Sequence, residues 1–290
     1  MRYQRVASST LRIGASRGFA KALTGLVESI YHQLQRNKRC ASNYTLQSQT
    51  FNTPLSDYTE AIRLNPKDAI NYFNRGSAYG GRRELDKSIA DFTLAIKLDP
   101  KVAIALYNRG VSYAGKGELD KAIADYTQAI QLEPNLATDA AKREIALGYA
   151  NRGVTYAEKG ESDKAIADYT QAIQLDPTNA ITYTNRGVSY AGKGEYDKAI
   201  NDYTQAIRID PQDAAAFLNR GLSHERNKDH SQGIADHTEA IQLNSIHPSL
   251  PNYILKEVYE YRARGYRALG DEAKAASDTR KSEELARTKQ

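Results

Sequence analysis

The chain has 290 residues, with 40 Lys and Arg against 35 Asp and Glu, for a formal charge of +5. That excess sits in residues 1–50, which carry eight basic side chains and one acid, Glu28; the other 240 carry 32 against 34 and offer no basic field for nucleic acid. A single cysteine, Cys40, excludes an internal disulfide and a cysteine-built zinc site, apolar content of 40% with Tyr included disfavours one large spherical core, and no run approaches the roughly 18 apolar residues of a membrane span.

Residues 1–50 are Arg- and Ser-rich and poor in acids, with an amphipathic piece around Phe19–Tyr31. Such a leader reads as a transit peptide, a surface-docking segment, a disordered tail, or sequence upstream of the true start. Lys21 and Glu28 interrupt its apolar run, which argues against a secretory signal. The chain is accordingly expected in the cytoplasm, or in an organelle if the leader is a transit peptide. Gly14-Ala15-Ser16-Arg17-Gly18 fits a nucleophile-elbow pattern, but that motif needs a strand–turn–helix setting and a sheet scaffold, which the downstream chain does not predict.

From residue 55 onward the chain repeats itself. Asn-Arg-Gly occurs at 74–76, 108–110, 151–153, 185–187 and 219–221, so the glycines are 34, 43, 34 and 34 residues apart. Each copy continues into a block such as Ala122-Ile123-Ala124-Asp125-Tyr126-Thr127-Gln128-Ala129-Ile130, and a proline follows, at Pro66, Pro100, Pro134, Pro177 and Pro211. Apolar residues recur at helical spacing in both blocks. Gly117, Gly160 and Gly194 fall where a tight turn needs positive φ, and the proline ends the second helix. The pattern predicts a partial repeat at 55–66 and an array over 67–290, with repeats at about 69–102, 103–136, 146–179, 180–213, 214–247 and 256–289, the last with Ala263 in the glycine slot.

This 34-residue helix–turn–helix pattern resembles the tetratricopeptide repeat family. The match in one repeat is Leu106, Gly110, Tyr113, Ala122, Tyr126, Ala129 and Pro134, and in another Tyr183, Gly187, Tyr190, Ala199, Tyr203, Ala206 and Pro211. The resemblance covers about residues 55–288 and implies an all-α, right-handed α-solenoid that binds other proteins. One departure is systematic: the family's usual Leu before the glycine is Arg here, at Arg75, Arg109, Arg152, Arg186 and Arg220.

With repeats numbered from Ala69, Ala103, Ala146, Ala180 and Ala214, antiparallel helices set Tyr113 opposite Ala122, Gly110 near Tyr126 and Leu106 near Ala129, large against small. The tyrosines therefore read as packing residues. Arg at position 7 and Asp at position 23 share a level in each of these five repeats and predict ion pairs, within a repeat or across to its neighbour. Two regions break the period. Extra residues within Asn135–Ile145 are rich in helix formers and predict a longer first helix for the third repeat. Ile246–Leu255, with Pro248 and Pro251, predicts a loop and a hinge, and the charged last helix from Asp271 suits a solvent-facing cap. His224 and His237 take aromatic slots of the fifth repeat, with His230 in its turn, so packing is expected there and no metal site.

On the first helix, positions 2, 6, 9 and 13 fall on a stripe facing away from the partner helix. It holds Ile104, Val111, Leu147, Val154, Ile181 and Val188, with Asn74, Asn108, Asn151, Asn185 and Asn219 as a spine of amides. A side-chain amide offers the donor and acceptor that an extended backbone needs. The row is similar to the asparagine ladder in the repeats of O-linked N-acetylglucosamine transferases, and lacks the lysines of the family's carboxylate clamp. The same row could instead bond to neighbouring helices and fix repeat spacing. The leading expectation is a non-enzymatic scaffold, without cofactor or nucleic acid, that binds an extended segment of a protein partner; self-association stays open. The alternative is an accessory or targeting factor that docks through its basic leader.

Overall fold

The computed structural model describes residues 55–132, 138–246 and 248–287, and all the helices below lie there. The basic leader, with its Gly14–Gly18 motif and amphipathic piece, lies outside the described residues. A lone helix α1 (Leu55–Leu64) precedes six pairs. These are α2 (Ala69–Gly81) with α3 (Leu85–Leu98), α4 (Ala103–Lys116) with α5 (Leu119–Leu132), and α6 (Asp139–Glu158) with α7 (Ser162–Leu175). Then follow α8 (Ala180–Gly192) with α9 (Tyr196–Ile209), α10 (Ala214–Arg226) with α11 (His230–Ile246), and α12 (Asn252–Ala268) with α13 (Glu272–Arg287). The described chain is an all-α solenoid of helix–turn–helix repeats. It divides inside α8 into two compact units, one ending at Thr182 and one beginning at Tyr183.

In the first unit each of α1 to α6 packs on the next, and α2, α4 and α6, the first helices of successive pairs, also touch. In the second unit α9 to α13 pack in the same serial way, with α10 against α12. The local signals that start and stop these helices are legible residue by residue. Asp68 and Asp213 cap α2 and α10 by accepting from Ile70 N (2.9 Å) and Ala215 N (3.0 Å). After α3, α7 and α9 an aspartate folds back on the backbone two residues on, as Asp99 does to Lys101 N at 3.0 Å, before and after a proline that cannot continue the helix. The turns between paired helices hold Gly117, Gly160, Gly194 and Gly270 at φ 78–79°, the left-handed region; Arg83 and Lys228 adopt it at 60° and 63° without glycine's freedom.

The seam inside each pair rests on a glycine facing an aromatic ring. A Cβ built on Gly110, Gly153 or Gly187 would lie 2.8–2.9 Å from Cε1 of Tyr126, Tyr169 or Tyr203. Those three tyrosines are fully buried, with Phe92 and His237 at the same place in their repeats. Ala122, Ala165 and Ala199 line the same seam, buried like the rings.

The third repeat's first helix is lengthened, as its composition predicts: α6 starts at Asp139, with Thr138 Oγ1 accepting from Ala141 N at 3.1 Å, and gains the buried Ile145. The region around Pro248 departs from the expected hinge. α11 runs on to Ile246, Pro251 caps α12, and the connection is pinned rather than loose. Asn244 Oδ1 accepts from Ser249 N (2.8 Å) and Leu250 N (2.7 Å), and Leu250 is buried against Ile254 and Val258. As a result α11 packs on α12 as extensively as α9 does on α10. The last helix buries only small or polar residues, Ala275, Asp278 and Ser282, as a terminal cap does.

Candidate functional site

Every pair carries the same charged staple. Arg75, Arg109, Arg152, Arg186 and Arg220 grip Asp91, Asp125, Asp168, Asp202 and Asp236 of their own repeat through two parallel N–H···O bonds of 2.7–2.9 Å. The choice left open by the sequence is thus settled: the pairs form within a repeat. Arg262 and Asp278 make a sixth, at 2.7 and 2.8 Å, which the sequence reading passed over although their 16-residue spacing matches the other five. The aspartate side chains are at most 9% exposed, so the pairs sit in the seam and not on the surface. Hydrogen bonding to the carboxylate holds Arg75, Arg109, Arg152, Arg186 and Arg262 above the ordinary guanidinium pKa, against the opposing effect of burial.

The third guanidinium nitrogen reaches back one repeat. Nη1 donates to Thr59 from Arg75 (3.4 Å), to Thr93 from Arg109 (3.1 Å), to Thr127 from Arg152 (2.8 Å), to Thr204 from Arg220 (3.1 Å) and to Thr238 from Arg262 (3.1 Å). The threonine hydroxyl can accept because its own proton goes to the carbonyl four residues earlier, as in Thr93 to Ile89 O at 2.7 Å. A second set of contacts between repeats runs along the turns: Lys116 to Asp86, Lys159 to Asp120 (2.5 Å) and Asn227 to Asp197 (2.6 Å).

The asparagine row divides. Asn74, Asn108 and Asn151 are half-exposed on α2, α4 and α6. Asn151 is occupied: its Nδ2 donates to the Tyr107 hydroxyl at 2.5 Å and to Leu147 O at 3.1 Å, so here the amide ties one first helix to the one before it. Among the described residues the side chains of Asn74 and Asn108 have no hydrogen-bond partner. Asn185 and Asn219 belong to the second unit and are buried, at 8% and 2% exposure, which takes them out of a ligand's reach and corrects the expectation of a uniform spine. Ile104, Val111, Leu147, Val154, Ile181 and Val188 are all half-buried, and Ile104, Val111 and Leu147 lean on the cluster of Leu106, Tyr107 and Tyr126. Ile70, at position 2 of the first pair, stands 66% exposed. The first unit thus brings Asn74 and Asn108 together with apolar side chains on adjoining first helices.

The three histidines each have different surroundings. His224 lies 3.8 Å from Asp229 and 3.9 Å from Asp236, His230 Nδ1 lies 3.2 Å from Glu225, and His237 is fully buried. No group of three or more His, Cys, Asp or Glu among the described residues is arranged to hold a metal ion. None of the described helices is long and apolar enough to cross a membrane.

Comparison with known proteins gives the pattern a family. Tetratricopeptide-repeat family models match residues 69–102 and 103–136, and a TPR-repeat model matches 153–194 and 189–228. No curated protein matches the chain significantly. Among solved structures, the chain is similar to YrrB, described as a TPR protein with an unusual peptide-binding site, at 22% identity and a TM-score of 0.55, covering 67% of this chain and 95% of that one. It is also similar to MamA from Desulfovibrio magneticus RS-1 (18% identity, TM-score 0.56, 62% and 97% covered) and to pilF of Pseudomonas aeruginosa (16%, 0.60, 76% and 93%). At these identities the likeness is one of fold. The glycine–aromatic seams, the helix pairs and the family matches together make this chain a member of the tetratricopeptide repeat family.

Proposed function

We infer that the protein is a scaffold for protein–protein interaction, and that the first-helix face of its first unit binds an extended peptide segment of a partner. The observation that carries the reading is the pair of amides at Asn74 and Asn108. They are half-exposed and have no hydrogen-bond partner among the described residues, beside the apolar side chains of Ile70, Ile104, Val111 and Leu147. Each amide can donate to a peptide carbonyl and accept from the next N–H, while the apolar residues take its side chains. Val154, behind Asn151, extends the same face. The solved structure of YrrB, whose description names a peptide-binding site, agrees with this use of the fold. A scaffold is favoured over a catalyst because the charged pairs that recur in the repeats are committed to joining helices.

The test is peptide selection on the full chain, followed by affinity measurement on Asn74→Ala/Asn108→Ala. A net hydrogen bond contributes about 0.5–1.5 kcal/mol, so losing two pairs lowers affinity by roughly tenfold or more. Melting should barely move, since Ala favours helix. Unchanged affinity with a lowered melting temperature would overturn the reading. A second reading rests on the charge segregation of the leader, eight basic residues against one acid in 1–50: salt-sensitive binding of the full chain to anionic vesicles would favour an accessory or targeting role.

A further inference from the structure

The fifth repeat is built differently from its neighbours. Where Phe92, Tyr126, Tyr169 and Tyr203 fill the seam of the earlier repeats, α11 places His237, fully buried, with both ring nitrogens lacking a hydrogen-bond partner. Its ring lies against Gly221 of α10, 2.8 Å from where a Cβ would stand, and stacks on Tyr261 of α12 at 5.8 Å between centroids and 29° between planes. Beside it, α10 carries Glu225 where the earlier repeats have Gly80, Ala114, Ala157 and Ala191. Room for this carboxylate is left by two glycines: a Cβ on Gly233 of α11 or Gly265 of α12 would come within 2.7 or 2.9 Å of Glu225 Oε1. That oxygen is buried without a partner.

We propose that this junction is an acid-sensitive latch, in which the neutral His237 ring holds the last helix pair, α12–α13, on the fifth repeat and protonation of that ring releases it. A buried imidazole with no acceptor for its second proton has nowhere to place the added charge, and the surrounding groups deepen the cost. From α12, Arg262 and Arg264 face it with positive charge, Arg262 while holding both oxygens of Asp278 of α13. From α10, Arg220 takes up both oxygens of Asp236, the nearest carboxylate on His237's own helix, and His224 lies 3.9 Å from the same group. Burial first, then Arg262 and Arg264, push His237 down to about 3.

Opening returns the ring to its ordinary pKa of about 6.5, so the closed state is fully favoured above that value and loses ground as pH falls below it. Glu225 works the other way: burial raises its pKa, so its protonation favours the closed state, while His230 at 3.2 Å and Arg264 hold that rise down.

Hydrogen exchange on the full chain tests the latch. Between pH 7.5 and 5.5, protection of 252–287, corrected for intrinsic exchange, should fall about tenfold, the factor by which a released imidazole of ordinary pKa is protonated. His237→Tyr and His237→Phe, which restore the aromatics of the other repeats, should abolish that fall while keeping protection at pH 7.5. A fall that persists in both variants assigns the effect to other groups and overturns the latch, as does pH-independent protection in the unmodified chain.

Discussion

Gly153→Ala adds one methyl to a seam with no space for it. The new Cβ would meet Tyr169 Cε1 at 2.8 Å, Cδ1 at 3.0 Å and the Ala165 carbonyl oxygen at 3.3 Å. The tyrosine is fully buried, so its ring can yield only by pushing α6 and α7 apart. Overpacking of this kind costs about 1–3 kcal/mol, and exchanging a mid-helix Gly for Ala returns about 1. The net loss is up to about 2 kcal/mol, read as a lower urea midpoint at unchanged slope, or as a melting temperature down by a few degrees for a folded region of this size. The chain contains its own comparison: Ala263 occupies the equivalent slot in the last pair, where the residue in register with Tyr169 is Thr279. Relieving the ring should therefore relieve the methyl. In a double-mutant cycle, Gly153→Ala should cost less on a Tyr169→Thr background than alone, with a coupling of 0.5 kcal/mol or more. Equal costs on both backgrounds would refute the steric account.

Removing one partner of a staple, as in Asp125→Ala, leaves Arg109 unpaired in the seam at 17% exposure and should destabilise by about 3–5 kcal/mol in urea unfolding. Replacing both, Arg109→Leu with Asp125→Ala, should recover most of that loss by the same measurement, because an apolar seam needs no paired charge. Lys228→Gly should stabilise by about 1 kcal/mol in thermal melts, since a glycine accepts φ 63° without the steric cost that a lysine bears there.

The pairing of helices was legible because its determinants lie within one repeat. Gly110 and Tyr126, 16 residues apart, meet whatever the neighbours do, and the same spacing joins Arg109 to Asp125. The fate of the asparagines was not legible, because it depends on other repeats. Asn151 is consumed by Tyr107, a position-5 residue on the first helix of the preceding repeat, where the first, third and fourth repeats have Phe73, Ala150 and Thr184. Asn219 is buried in a unit where α12 packs against its helix, and α12 carries Tyr261 in the asparagine's slot. The pinned connection at Pro248 was missed for a related reason. Two prolines suggest a break, but Asn244, which holds the loop, looks like any other polar residue in a helical stretch.

The staple also bears on what the asparagines are for. An array needs something to fix how each pair sits on the one before, and a row of amides is one candidate for that task. In this chain the task already has occupants. The arginine fork spends two nitrogens on its own repeat and the third on the threonine of the previous one, so it joins three helices where the family's leucine would fill only a seam. Lys116 with Asp86 and Lys159 with Asp120 repeat the linkage at the turns. Where an amide does join helices, at Asn151, a tyrosine hydroxyl stands ready to receive it; α1 and α2 set no such group against Asn74, and α3 and α4 none against Asn108. Polar side chains that recur in a repeat but are relieved of holding it together are better explained by something outside the chain. The proposed partner's backbone would then run along α2 and α4, with the spacing of the repeats left to the arginines.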